Sequence, residues 1–190
     1  MNETTIMKRL DALREEIQKE NFLLGKGLSN EVNIQIFCYE PEDEMIVRHF
    51  VNQLLVDQAL QCRIVERNLY QMFLQICDEN RITDRIPKME ERKGGENLLR
   101  QMSGVVTKDE FIAKAQFEGR TPGKDVLLIT GVGEAFPFIR VHTLLEALQP
   151  AFPDIPILVM YPGKFEGHEL KLFNRLTANP YYRAFNIIQS

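Results

Sequence analysis

Apolar and polar positions along this chain fall into two alternating periods. Ile6, Leu10, Leu13 and Ile17 recur every three or four residues with Asp11, Arg14, Glu15 and Glu16 between them. That spacing predicts an amphipathic helix over residues 4–20, in an N-terminal unit (1–25) closed by Gly25 and Gly27. VNIQIFCY (32–39) is rich in β-branched and aromatic residues and reads as a strand. Pro41 then opens a helix to about residue 60, with Glu42, Asp43 and Glu44 at the positive end of its dipole. RIVER (63–67) is a second short strand, followed by a helix over 69–80. Residues 81–120 read as helical and more polar, broken near Gly94-Gly95 and at Ser103-Gly104.

The pattern sharpens after Lys124. DVLLIT (125–130) is a nearly all-apolar run, the mark of a strand covered on both faces, and it ends in Gly131-Val132-Gly133 before a helix over 136–148 with Pro137 in its first turn. IPILVMY (155–161) is another buried strand; a Pro162-Gly163 turn, a short helix over 169–176 and a last strand over 183–188 follow. Parallel neighbours need crossover connections. The alternation therefore predicts a three-layer α/β architecture, a mostly parallel five-stranded sheet with helices on both faces. A chain of 190 residues fits one such domain over 1–190.

Composition narrows the function classes. A net charge of -4 argues against strong intrinsic nucleic-acid binding, which usually shows a basic excess. The charge is uneven: residues 1–60 carry 6 Lys/Arg against 11 Asp/Glu, a net -5, whereas 161–190 carry 4 against 2, a net +2. Cys38, Cys62 and Cys77 are odd in number and contain no C-x-x-C, so neither a disulfide framework nor a zinc knuckle is expected. The charged stretch 1–20 does not read as a secretory signal, and no run approaches membrane-spanning length. A cytoplasmic protein without membrane contact is the expectation.

Parallel sheets bind ligands beyond the carboxyl ends of their strands, here the loops 39–44, 68–70, 131–134 and 161–167. A phosphate loop of the form G-x-x-x-x-G-K-[ST] is missing, and acids fill the turn after the first strand, where they would repel phosphate. Gly131-x-Gly133 is followed by Phe136 where a dinucleotide fingerprint needs its third glycine, so a tight strand-to-helix turn is the simpler reading. Arg140 and His142, on the helix after those glycines, complete a ligand-edge set of Gly131, Gly133, Arg140 and His142. Pro153-Asp154 followed by Glu169-Leu170-Lys171 matches a metal-dependent nuclease pattern on paper. Helical spacing around Glu169 and the place of Asp154 before its strand both argue against it. His168-Glu169 lacks the second histidine of H-E-x-x-H, His49 and His142 stand apart, and there is no G-x-S-x-G elbow. No catalytic residue, metal ligand or cofactor is expected.

The strings LLITGVGEAFPFIRVHTLLEALQP (127–150) and YPGKFEGHELKLFNRLTANPYYRAF (161–185) resemble signature blocks of the BrxB family, a component of bacteriophage-exclusion (BREX) defence systems. The resemblance extends through the leading helix and GLSNEVNIQIFCYEPEDE (27–44). It implies a P-loop-like α/β fold stripped of its phosphate loop. It also implies phage defence beside a phosphatase-like protein (PglZ), a DNA methyltransferase (PglX) and an AAA+ ATPase (BrxC), in a family with no established catalytic residues. The expected role is a non-catalytic assembly subunit docking on the PglZ-like partner, within a complex that includes BrxC-like and PglX-like components. A homo-oligomer is compatible with this. A divergent Mg-dependent nuclease or nucleotide-sensing domain stays open as the alternative. The partner surface is expected around 161–185, on Tyr182 and Arg183 first, then Arg175, with Tyr181 and Phe165, because aromatic and arginine side chains anchor interfaces.

Overall fold

A computed structural model describes residues 3–25, 33–166, 169–177, 179–180 and 185–188. In chain order the elements are α1 (Glu3–Glu16), α2 (Glu20–Leu23), β1 (Ile34–Tyr39), α3 (Glu44–Val56), β2 (Arg63–Asn68) and α4 (Leu69–Glu79). They continue with α5 (Ile86–Lys93), α6 (Gly95–Met102), α7 (Lys108–Ala115), β3 (Asp125–Thr130), α8 (Val132–Ala135) and α9 (Val141–Ala151). β4 (Ile157–Glu166), β5 (Glu169–Leu172), β6 (Asn179–Pro180) and β7 (Phe185–Asn186) complete the series.

Five strands form the sheet in the order β2-β3-β4-β1-β7, every neighbouring pair parallel. The first strand thus lies inside the sheet between the fourth and fifth parallel strands, in keeping with the P-loop-like expectation. Successive strand residues face opposite sides. Val126, Leu128, Leu158, Met160, Phe37 and Tyr39 pack with α1–α3, while Leu127, Ile129, Ile157, Val159 and Ile36 pack with α4–α9. Each fully buried aliphatic side chain contributes about 1.5–3 kcal/mol relative to exposure, so two such faces hold three layers together. Ile6, Leu10, Leu13 and Ile17 are all fully buried, as their spacing requires. Among the described residues no helix is long and apolar enough to cross a membrane.

The polar stretch 81–120 is three short helices, α5 to α7, broken at Gly94 and around Ser103-Gly104. Thr107 opens α7 with a reciprocal cap: its hydroxyl accepts from the Glu110 amide while the Glu110 carboxylate accepts from the Thr107 amide. Removing such a cap typically costs about 1 kcal/mol. Thr107→Ala is therefore expected to lower stability in denaturant unfolding by about that amount. An unchanged midpoint would mean that the burial of Phe111 and Ala115 alone holds α7.

Three sequence expectations are corrected. The helix expected over 136–148 starts only at Val141, as α9, and a separate short helix, α8, precedes it within the Gly131–Gly133 segment and ends at Ala135. Pro137 forces the separation, because the residue before a proline is pushed to extended backbone, and Phe136 has φ -70 and ψ 137. The Pro162-Gly163 turn does not exist, since β4 runs straight through both residues to Glu166. Gly163 makes this possible: a Cβ there would lie 2.3 Å from the Lys171 carbonyl oxygen, so only glycine lets β5 approach. Finally, the helix expected over 169–176 is the strand β5, antiparallel to β4, with Leu170 and Leu172 buried and Glu169 and Lys171 exposed. The period of two within those four residues wins because the extended β4 offers them an edge to pair with. Of the last strand expected over 183–188, Phe185–Asn186 pairs parallel with β1.

Candidate functional site

The carboxyl ends of β1, β2 and β3 are Tyr39, Asn68 and Thr130, and β4 leaves the same edge to form its hairpin with β5. β1 feeds a crossover towards β2 while its neighbour β4 leads away towards β7, so the two part at this edge. Such a divergence is where open α/β sheets place their ligands. Two clefts flank it, one on each face.

The cleft on the α3 side has a volume of about 250 Å³ and is lined by Tyr39, Glu44, Arg48, Glu66, Thr130 and Glu134 among others. The Tyr39 hydroxyl donates to Glu44 Oε2 at 2.7 Å. Arg48 donates to Glu44 Oε1 at 2.8 Å and pairs with Glu134 Oε1 at 2.6 Å. Thr130 donates to Glu66 Oε1 at 2.5 Å. Burial and the Glu44 carboxylate push the Tyr39 phenol well above its ordinary value, and the hydrogen bonds to Glu44 and Glu134 raise the Arg48 guanidinium. The lining thus holds three carboxylates, Glu44, Glu66 and Glu134, against the one guanidinium of Arg48, and the cleft is net acidic. Tyr39, Glu44, Arg48 and Glu134 are bonded into one network and Thr130 to Glu66, and the 3-10 turn Pro41–Asp43 adds Glu42 and the buried Asp43 where a phosphate loop would stand. That chemistry repels phosphate.

The cleft on the α9 side, about 320 Å³, combines the apolar Phe136, Ile139, Tyr161, Leu172 and Leu176 with polar groups. Arg140, the N-cap residue of α9, and His142 stand on its wall. Burial and then the neighbouring Arg140 hold the His142 imidazole below its ordinary value, favouring the neutral ring. The structure therefore divides the four ligand-edge residues. Arg140 and His142 share this cleft, whereas Gly131 lines the other one. Gly133 serves packing, because a Cβ on it would lie 2.8 Å from the Phe173 ring.

Asp154, Glu169 and Lys171 are not brought together. Asp154 lies before β4 with Arg120 at 3.6 Å, while Glu169 pairs with Glu166 at the far end of that 10-residue strand. Extended residues rise about 3.3 Å each, which puts the two carboxylates about 30 Å apart. The strand setting of Glu169 and Lys171 removes one sequence argument against a nuclease, but this separation sustains the other. Among the described residues no group of three or more His, Cys, Asp and Glu side chains is placed to hold a metal ion. All three cysteines are buried free thiols; burial pushes Cys38 up to about 12 and Cys77 up to about 11, away from thiolate reactivity.

Of the residues expected at a partner surface, Tyr181, Tyr182 and Arg183 lie outside the described residues, as does His168. Arg175 is exposed, Phe165 is half-buried against the core and Tyr161 is buried. The Tyr39–Glu44–Arg48–Glu134 network was not read from sequence. Its one sequence signal is the Glu44/Arg48 pair at i, i+4 on a predicted helix.

The family described as "BrxB: BREX protein BrxB" matches residues 65–187. A BREX protein BrxB of Bacillus cereus (strain H3081.97) is 34% identical over 190 residues, covering 96% of this chain and 97% of that protein. A BREX protein BrxB of Escherichia coli O9:H4 (strain HS) is 30% identical over 183 residues, covering 95% of this chain and 90% of that protein. No solved structure matches the chain.

Proposed function

We propose, from the premise that this chain belongs to the BrxB family of BREX proteins, that it is a non-catalytic assembly subunit of a cytoplasmic bacteriophage-defence complex. Its docking partner in this reading is the phosphatase-like PglZ component, with BrxC-like and PglX-like components in the same complex. One observation carries the reading. At the sheet edge where a P-loop-like domain would cradle phosphate, this chain presents Glu42, Asp43 and Glu44, and Glu44 is tied to Tyr39 and Arg48. A fold kept without its phosphate loop has the rigidity of a scaffold and lacks the groups that would polarise a phosphoryl oxygen. The nuclease alternative lacks support from geometry, because its carboxylates stand at opposite ends of β4.

The tagged chain, expressed with the other genes of its operon, is expected to co-purify with the PglZ-like protein through a salt wash and size exclusion. Recovery of the chain alone would remove the assembly reading. The purified protein is also expected to show no heat of binding with ATP and Mg²⁺ in calorimetry. Micromolar affinity would instead favour a nucleotide sensor.

A further inference from the structure

The docking face can be located from what the fold leaves uncovered. Among the described residues the exposed large hydrophobic side chains are Met7, Leu24, Met45, Leu55 and Val56, and all five belong to the α1–α3 layer. The α4–α9 layer, though larger, exposes none. Met45 is 72% and Val56 75% exposed. They stand eleven residues apart, three turns of α3, and therefore on one side of that helix. Met7 on α1 and Val56 line a groove of about 390 Å³ whose walls include Ile46, Phe50 and Leu54, with Met45 on the Val56 side of α3. α1 and α3 have 14 and 13 residues, about 20 Å each, which is the length of a three- to four-turn helix. Two helical ridges with an apolar trough and flexible methionines on their exposed sides fit the helix-in-groove mode of recognition.

Charge specifies the occupant. α1 together with residues 41–57 carries four Lys/Arg against eight Asp/Glu, a net -4. Most of those cations are already engaged. Arg14 pairs with Asp57, Arg48 with Glu44 and Glu134, and the buried Arg9 donates to the Cys38 carbonyl oxygen. Asp11 and Asp57 line the trough itself, and among the described residues Glu15 and Glu42 are exposed on the same layer against the single uncommitted Lys8, so the layer around the apolar trough is net acidic. A second copy of the chain would set -4 against -4, which charge complementarity disfavours. We infer that the α1–α3 groove docks a basic amphipathic helix of a partner protein, its apolar side on Met7, Met45 and Val56 and its lysines or arginines over the surrounding carboxylates. This deepens the assembly reading above and rests on it.

The test uses the full chain with methyl-labelled methionine and two synthetic 18-residue amphipathic peptides. Both have the same leucine face; one carries lysines elsewhere and the other glutamates. The lysine peptide is expected to shift the Met7 and Met45 methyl signals and leave Met72 and Met102, buried beneath the opposite layer, in place. Its affinity should fall at least tenfold in 0.5 M salt, as screening predicts. Met45→Lys with Val56→Lys should also weaken it at least tenfold with thermal unfolding unchanged, since both side chains lie in solvent. Equal binding of both peptides, no binding of either, or shifts centred on Met72 and Met102 would overturn the inference. So would a dimer in sedimentation that the double variant abolishes, because the groove would then be a self-interface. The two readings separate in the operon co-purification. If wild type and double variant both carry partners, the groove is wrong and the assembly reading stands; if the wild type carries none, the assembly reading falls and the docking face with it.

Discussion

Arg63→Ala is expected to destabilise the protein at pH 7 and to do so much less near pH 4. Asp125 begins β3 with only 2% of its side chain exposed, and Arg63 at the start of the adjacent β2 grips it with both Nε and a terminal nitrogen. The Thr121 amide donates a third hydrogen bond at 2.8 Å. Burial pulls the Asp125 carboxyl upward, but the bonds from Arg63 and Thr121 outweigh it and hold the group below its ordinary value. An acid with a depressed folded pKa adds stability above its unfolded value, near 4, and loses it as the pH falls through the folded one. Without Arg63 the sign reverses, because burial is then opposed by the Thr121 amide alone. The unpaired charge penalises the fold at neutral pH, and protonation relieves it. The expected loss is smaller than that of a fully buried pair because half of Arg63 remains in water. Denaturant midpoints from pH 4 to pH 7 check this. A pH-independent loss would trace the effect to the Arg63 guanidinium over the Phe117 ring, 5.7 Å from its centroid.

Gly131→Ala is expected to cost about 2–3 kcal/mol, with most of the damage at the sheet edge. Gly131 has φ +69, where a non-glycine residue costs about 1–2 kcal/mol. Its added Cβ would stand 2.4 Å from Asn68 Oδ1, which caps α4 by accepting from the Tyr70 and Gln71 amides. Moving Asn68 aside surrenders a cap worth about 1 kcal/mol. In an Asn68→Gly background the obstruction is gone and the same substitution should cost only the backbone strain, leaving a coupling of about 1 kcal/mol in the double-mutant cycle. Additive costs would show that the two residues do not meet.

Much of this architecture is legible in the chain itself, because long segments with one clear period can be satisfied in only one way. Ile6, Leu10, Leu13 and Ile17 make one helical stripe, and it is fully buried along α1 and at the residue that follows it. The unbroken apolar run of β3 demands cover on both faces and receives it, with all six residues buried. Gly94 and Ser103-Gly104 interrupt the helices of 81–120 where glycine's freedom and lost helix propensity end them. The long motif strings carry the family, since so many specified positions do not recur by chance.

Other features were decided by the tertiary structure. Four residues such as 169–172 hold too few apolar positions to separate a period of two from one of three or four, and the free edge of β4 made the choice. Periodicity says which face of an element is apolar and not what covers it. The order β2-β3-β4-β1-β7, the meeting of Arg48 with Glu134 and the exposure of Met45 and Val56 on an otherwise amphipathic helix therefore arise only when the layers assemble. Local propensity acts along a few turns of chain, whereas these pairings join residues tens of positions apart and depend on where each strand finds its neighbour.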